Sequence, residues 1–94
     1  MIHRQRARLL FGAIERDAYR VFGLTRPNRY AHTPTRTVLV TIERSPVVRF
    51  GSPAKWRCTV HAPDVAVLFF YGKTQVATLE AAASFLANAP SMQS

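Results

Sequence analysis

One stretch limits the possible folds of this chain more than any other, the apolar run VAVLFFY at residues 65–71. Turn residues bracket it, with Pro63-Asp64 before it and Gly72-Lys73 after it. Branched and aromatic residues between such brackets predict a β-strand. A strand that is apolar at every position has no water-facing side, so both faces of its sheet must be covered.

Helical patterns flank this sheet region. Apolar residues at helical spacing predict an N-terminal amphipathic helix that ends at Gly23, a residue that accepts the left-handed conformation. The predicted fold is one α+β domain of 94 residues in the order α-β-β-β-α. In chain order we expect a helix (2–23), a loop (24–35), an antiparallel sheet of three to five strands (36–77), a short helix (78–89) and a frayed tail (90–94).

Alternation of apolar and polar residues predicts the other strands. Residues 36–44 and 55–61 alternate, which places Cys58 inward with Trp56 and Val60, and His61 outward. Residues 47–50 are expected to continue the first strand or to form another. We further expect a hairpin at Gly72-Lys73, a short return strand at 74–77 and a helix capped by Thr78.

The positive charge is concentrated in the first half of the chain. The net charge is +8, with +6 in residues 1–36, +3 in residues 37–57 and −1 in residues 58–94. Eleven of the thirteen basic residues are arginine, whose planar fork grips phosphate and stacks on bases. This asymmetry favours nucleic acid or an acidic protein or nucleoprotein surface as partner. The alternative is a simply solvated surface whose arginines reflect a GC-rich genome.

The leading hypothesis is a small, basic, non-enzymatic nucleic-acid-binding protein. Its phosphate contacts are expected from the N-terminal helix and the loop after it, with a second patch at the sheet edge. The expected contact residues are Arg8, Arg16, Arg20, Arg26 and Arg29, and then Arg49, Lys55 and Arg57. Tyr30 beside Arg29 either stacks on a base or packs the loop onto the core, and the sequence leaves both open.

No catalytic, metal or cofactor site and no small-molecule substrate are expected from the residue pattern. Cys58 and His61 should point to opposite faces of a strand, so they do not form a nucleophile and its base. His3 and His32 have no ligand-like spacing to these residues. Gly72-Lys73-Thr74 is similar to the end of a phosphate-binding P-loop, but Val67 stands where that motif needs glycine.

A ribonuclease-like toxin is a third hypothesis. It would use His61, Arg57 and Asp64, and only their closeness in the sequence supports it.

Two families of nucleic-acid-binding domain share features with this chain. The segments Lys55-Trp56-Arg57, Pro63, Tyr71-Gly72-Lys73-Thr74 and Leu79-Glu80-Ala81-Ala82-Ala83 resemble the sheet and helix of ethylene-response-type and integrase arm-binding DNA-binding domains. That resemblance implies a sheet lying in the major groove, although residues 65–71 offer none of the polar side chains it uses. The order α-β-β-β-α is similar to that of double-stranded-RNA-binding domains, whose lysine cluster is replaced here by Thr78-Leu79-Glu80. No functional residue is carried over from either family.

The rival hypothesis is a phage- or plasmid-encoded inhibitor or adaptor of the anti-CRISPR type that docks on a host complex. If both helices pack on one face of the sheet, the other face of residues 65–71 needs a homodimer partner or a target protein. The expected interface residues are Ala66, Leu68, Phe70 and Tyr30. The sequence holds no apolar run of membrane-spanning length and no signal-peptide pattern, and Cys58 is the only cysteine, so a cytoplasmic location is expected.

Overall fold

Three antiparallel strands and two helices form the part of the chain that the computed structural model describes, residues 2–25, 37–45 and 55–91. The predicted α+β fold and its α-β-β-β-α order are confirmed. The elements are α1 (Ile2–Phe22), β1 (Leu39–Arg44), β2 (Trp56–Ala62), β3 (Ala66–Gly72) and α2 (Gln75–Asn88). The strand order in the sheet is β1-β2-β3, so β2 is the central strand. Neither helix in these ranges has the length and apolarity needed to cross a membrane.

Helix α1 ends where its sequence predicts. Gly23 follows the last helical residue with a φ of 69°, a left-handed conformation that glycine adopts without steric cost. Its N–H donates to the carbonyl of Arg20 at 3.2 Å, and the N–H of Leu24 donates to the carbonyl of Tyr19 at 2.9 Å. These two bonds form a Schellman motif, which satisfies carbonyls that the helix itself leaves without donors.

Both helices cover the same face of the sheet. Alternate residues of the strands point to that face, and together with the inner sides of α1 and α2 they form one hydrophobic core. The buried members are Ile14, Ala18, Tyr19, Val21, Phe22, Val38, Cys58, Val60, Ala62, Leu79, Ala82 and Leu86. The opposite face of the sheet has no element packed on it among the described residues.

The expected assignment of faces along β3 is reversed in the structure. Ala66, Leu68 and Phe70 were expected on the uncovered side, yet all three pack against the core. The ring of Phe70 lies 5.5 Å from that of Phe85 in α2, measured between centroids. Because every residue of this strand is apolar, its sequence contains no alternation that would tell the two faces apart. The strand lies at the edge of the sheet.

Helix α2 begins three residues earlier than predicted and directly follows β3. Thr74 is its N-cap, and the Thr74 hydroxyl oxygen accepts a hydrogen bond from the N–H of Ala77 at 3.1 Å. The predicted cap, Thr78, is instead buried within the first turns, where its hydroxyl donates to the carbonyl of Thr74 at 2.6 Å. The expected hairpin at Gly72-Lys73 and the return strand at 74–77 are therefore wrong.

The two helices run in the same direction and are joined near both ends by arginines of α1. Near the beginning, the Nε of Arg6 donates to a carboxylate oxygen of Glu80 at 2.8 Å. Near the end, Arg20 donates to the carbonyls of Leu86 at 2.6 Å and Ala89 at 3.0 Å. These contacts fix how α2 lies along α1.

Several predictions fall outside the described residues. They concern most of the loop at 24–35, a possible strand at 47–50 and most of the tail at 90–94. The candidate residues in these segments are Arg26, Arg29, Tyr30, His32 and Arg49.

Candidate functional site

The uncovered side of the sheet presents nine side chains in three cross-strand rows, and we call this surface the open face. The register pairs residues of β1 and β2 and, in turn, of β2 and β3, so that each row crosses the whole sheet. The rows are Leu39–His61–Val67, Thr41–Thr59–Phe69 and Glu43–Arg57–Tyr71.

Much of the open face is apolar or aromatic and in contact with solvent. Leu39 is 52% exposed, Val67 and Phe69 are each 47% exposed, and Tyr71 is 45% exposed. Phe69 and Tyr71 are alternate residues of β3, so their Cα atoms are about 7 Å apart along the strand. Two aromatic rings therefore stand side by side at one edge of the sheet.

Arg57 lies on the central strand in the row nearest the cationic end, and it is held from both sides. It forms an ion pair with Glu43 of β1, and its guanidinium carbon lies 4.9 Å from the centroid of the Phe69 ring. The hydrogen bond that Arg57 donates to the Glu43 carboxylate raises the pKa of Arg57, desolvation opposes that rise, and a hydrogen bond with Tyr71 adds to it. The side chain is thus fixed in place as a permanent cation among aromatic rings.

Two buried polar atoms beneath this surface have no hydrogen-bond partner among the described residues. They are the Nε of Arg57 and the hydroxyl oxygen of Thr59, on successive outward positions of β2. Buried polar atoms in folded proteins are normally paired, so these two are exceptions within the sheet.

Three cations lie at one end of the sheet, and we call Arg44, Lys55 and Lys73 the cationic end. Arg44 is the last residue of β1, Lys55 immediately precedes β2, and Lys73 immediately follows β3. The N–H of Lys55 donates to the carbonyl of Gly72 at 2.9 Å, and the carbonyl of Lys55 accepts from the N–H of Ser45 at 2.9 Å. Arg44 pairs with Trp56 in the register, so it lies on the side of the sheet that the helices cover. The Arg44 guanidinium stacks on the Trp56 ring at 4.9 Å.

No member of the cationic end has an ion-pair partner within residues 2–25, 37–45 and 55–91, and all three are exposed. Their positive charge is therefore not neutralised locally. Lys55 and Lys73 are each two residues from a member of the open face, Arg57 and Tyr71 respectively. These two lysines therefore lie next to the open face.

The arginines predicted on α1 do not share this surface, because α1 packs on the other face of the sheet. Arg20 donates to carbonyls of α2 and lies 3.7 Å from Asp17, so it is occupied within the protein. Arg16 is exposed and 3.8 Å from Asp17. Arg8 is exposed and has no ion pair in the described part of the chain. Of the predicted contact residues, the structure brings only Lys55 and Arg57 to one surface. Arg57 is in the central strand and Lys55 immediately precedes it, whereas both were predicted at the sheet edge.

The cysteine and histidine considered for chemistry point to opposite sides of β2, as predicted. Cys58 is fully buried, and burial raises the pKa of its thiol to about 11, so it remains protonated and unreactive near neutral pH. His61 is exposed on the open face. Among the described residues, no three His, Cys, Asp or Glu side chains are grouped as metal ligands would be.

Sequence reasoning did not single out Arg44, Phe69, Tyr71 or Lys73 for the site. Phe69 and Tyr71 were read as part of a uniform apolar run, and Lys73 as part of a hairpin turn. The available signal was the period of two along β3, which already places Val67, Phe69 and Tyr71 on one side. Packing decides which side of the strand the helices cover, and the sequence pattern does not contain this information.

Comparison of the chain with protein-family models, curated proteins and solved structures found no match. Its function is therefore argued from its own residues.

Proposed function

We propose that this protein binds nucleic acid and that the cationic end of the sheet contacts the phosphates. The observation that carries the proposal is the grouping of Arg44, Lys55 and Lys73 at one end of the sheet, all exposed and without an ion pair among the described residues. Lysine and arginine at such a surface gain affinity by releasing counterions from the phosphate backbone. The net charge of +8 adds a long-range attraction to any polyanion.

Phosphate contacts give affinity without sequence information. We expect the three side chains of the cationic end to contact phosphates, to which their positive charge is attracted. We therefore expect binding that depends strongly on salt and weakly on sequence. We place this activity in the cytoplasm. We expect no catalysis, because the side chains of Cys58 and His61 lie on opposite sides of β2.

The test compares two double charge reversals, Lys55→Glu with Lys73→Glu and Arg8→Glu with Arg16→Glu. Each removes two positive charges and adds two negative ones, so the net charge falls from +8 to +4 in both variants. Labelled DNA and RNA are titrated by fluorescence anisotropy between about 50 and about 200 mM salt. The slope of log affinity against log salt should shrink by about 1.5 in the first variant, for two lost phosphate contacts, and stay near that of the wild type in the second.

An equal decrease of the salt-dependence slope in the two variants would indicate that α1 also contacts phosphates, as the sequence predicts. Affinity that does not change with salt would refute the proposal. Degradation of the labelled RNA that is abolished by His61→Ala would instead favour the ribonuclease-like hypothesis.

A second candidate function is that of a protein-binding adaptor or inhibitor. The exposed apolar side chains of the open face, Leu39, Val67, Phe69 and Tyr71, favour it, because apolar patches of monomers often mark interfaces. Isolation of one stoichiometric protein partner by a chain that binds no nucleic acid would support this function over the first.

A further inference from the structure

We infer that the open face is a stacking platform for unpaired bases, so that the ligand of this protein is single-stranded nucleic acid. The inference rests on the proposed function and names its substrate class. Phosphates would lie along the cationic end, one base would stack on Tyr71 and the next would stack on Phe69. Stacking of this kind tolerates any base, because every base has a flat π-face.

The arrangement of rings fits a flexible single strand. Phe69 and Tyr71 are both about half exposed, and their backbone positions are about 7 Å apart along the strand. The Arg57 guanidinium sits over the Phe69 ring, and its own plane is a surface on which bases also stack. Lys73 follows β3 two residues after Tyr71, so a backbone phosphate can be bound while its base reaches a ring.

A duplex does not fit this surface. In a duplex the bases are stacked on each other, and only their edges are accessible from the grooves. Aromatic side chains reach base faces mainly in single strands, loops and ends. The contribution of Phe69 and Tyr71 is therefore specific to unpaired nucleotides, whereas the cationic end alone would hold either form.

A second copy of the chain fits less well than a polyanion. Strands of six and seven residues, three abreast, give a face of roughly 15 by 20 Å, or about 300 Å². Stable protein interfaces bury about 800 Å² on each partner. Self-association would also bring together two chains of net charge +8, including their unpaired cationic ends.

The experiment titrates oligo-dT, oligo-rU and a duplex of equal length into Phe69→Leu, Tyr71→Leu and the wild type. Leucine keeps the side chain apolar and removes the ring. Each substitution should weaken binding of the single strands about 5- to 100-fold and leave the salt dependence unchanged. Phe69→Tyr keeps a ring and should bind like the wild type.

Phe85→Leu is the matched control, because Phe85 is an aromatic residue of α2 that is 54% exposed and lies away from the open face. It should bind as the wild type does. Thermal unfolding of each variant shows that it folds, which is expected because Phe69 and Tyr71 lie outside the core.

The outcomes separate the two proposals. Unchanged single-strand affinity in Phe69→Leu and Tyr71→Leu, together with weakened binding in the Lys55→Glu, Lys73→Glu variant, would overturn the platform and keep the proposed function. Equal affinity for the duplex would also overturn the platform. If no oligonucleotide bound to the wild type, both proposals would be refuted. A dimer in solution that Phe69→Leu dissociates would assign the open face to self-association.

Discussion

Replacing Gly72 with alanine tests how closely the end of β3 packs against the first turn of α2. A Cβ atom at this position would lie 2.5 Å from the hydroxyl oxygen of Thr78, 2.9 Å from its backbone nitrogen and 3.1 Å from its Cα. The Thr78 hydroxyl and the Thr78 N–H both donate to the carbonyl of Thr74, at 2.6 and 3.0 Å. Rotation of a flexible side chain therefore does not relieve the clash, and the helix start must move.

The expected cost follows from this overlap. Added carbon atoms in well-packed sites typically destabilise by about 1–3 kcal/mol, and the backbone contact places Gly72→Ala within this range. For a domain of this size, 1 kcal/mol shifts the melting temperature by about 4–8 °C. We expect a decrease of roughly 4–20 °C, measured by circular dichroism during heating and by urea unfolding.

Gly12→Ala is the matched control, because it is the same chemical change inside α1. A Cβ atom at Gly12 meets no atom within 4 Å, and alanine is about 1 kcal/mol better than glycine in a helix interior. The two substitutions should therefore shift stability in opposite directions. A Gly72→Ala protein as stable as the wild type would contradict the close approach of α2 to β3.

Two further predictions concern buried polar groups. Tyr19→Phe should lower the free energy of unfolding by about 1–3 kcal/mol, measured with urea. The buried N–H of Val38 donates to the Tyr19 hydroxyl at 3.0 Å and would lose its acceptor. An unchanged urea midpoint would contradict this prediction. Cys58 should make stability fall as the pH rises from about 9 to about 11. Over that interval the unfolded thiol loses its proton while the folded thiol, with a pKa of about 11, keeps it, so the contribution present below pH 9 is lost. Cys58→Ala should remove this part of the pH dependence, and an identical slope in both proteins would refute it.

The elements that could be predicted are those whose signal is local. Gly23 ends α1 through its own conformation, and the alternation of β2 places Cys58 inward and His61 outward. The start of α2 is different, because Thr74 and Thr78 are both good capping residues four positions apart. Burial of Thr78 against Gly72 decides between them, and that contact depends on the packed structure.

The candidate site was predictable only in part for the same reason. Lys55 and Arg57 stand out as basic residues within an alternating strand, and both reach the site. Tyr71 belongs to it because the register places it beside Arg57, and Lys73 because it follows β3, whose Gly72 carbonyl accepts from the N–H of Lys55. Cross-strand neighbours are far apart in sequence, and a strand that is apolar at every position leaves its outward side undefined. Arg20 was predicted as a phosphate contact, and the structure places its guanidinium between the helices, where it donates to carbonyls of α2.

The parallel course of α1 and α2 has an electrostatic consequence. Each helix carries a macrodipole with partial negative charge at its C-terminal end, and parallel packing places these two negative ends near each other. Arg20 lies in the last turn of α1 and donates to the last carbonyls of α2, which has no basic residue in its own last turn. One guanidinium thus compensates the dipoles of both helices and makes their parallel packing favourable.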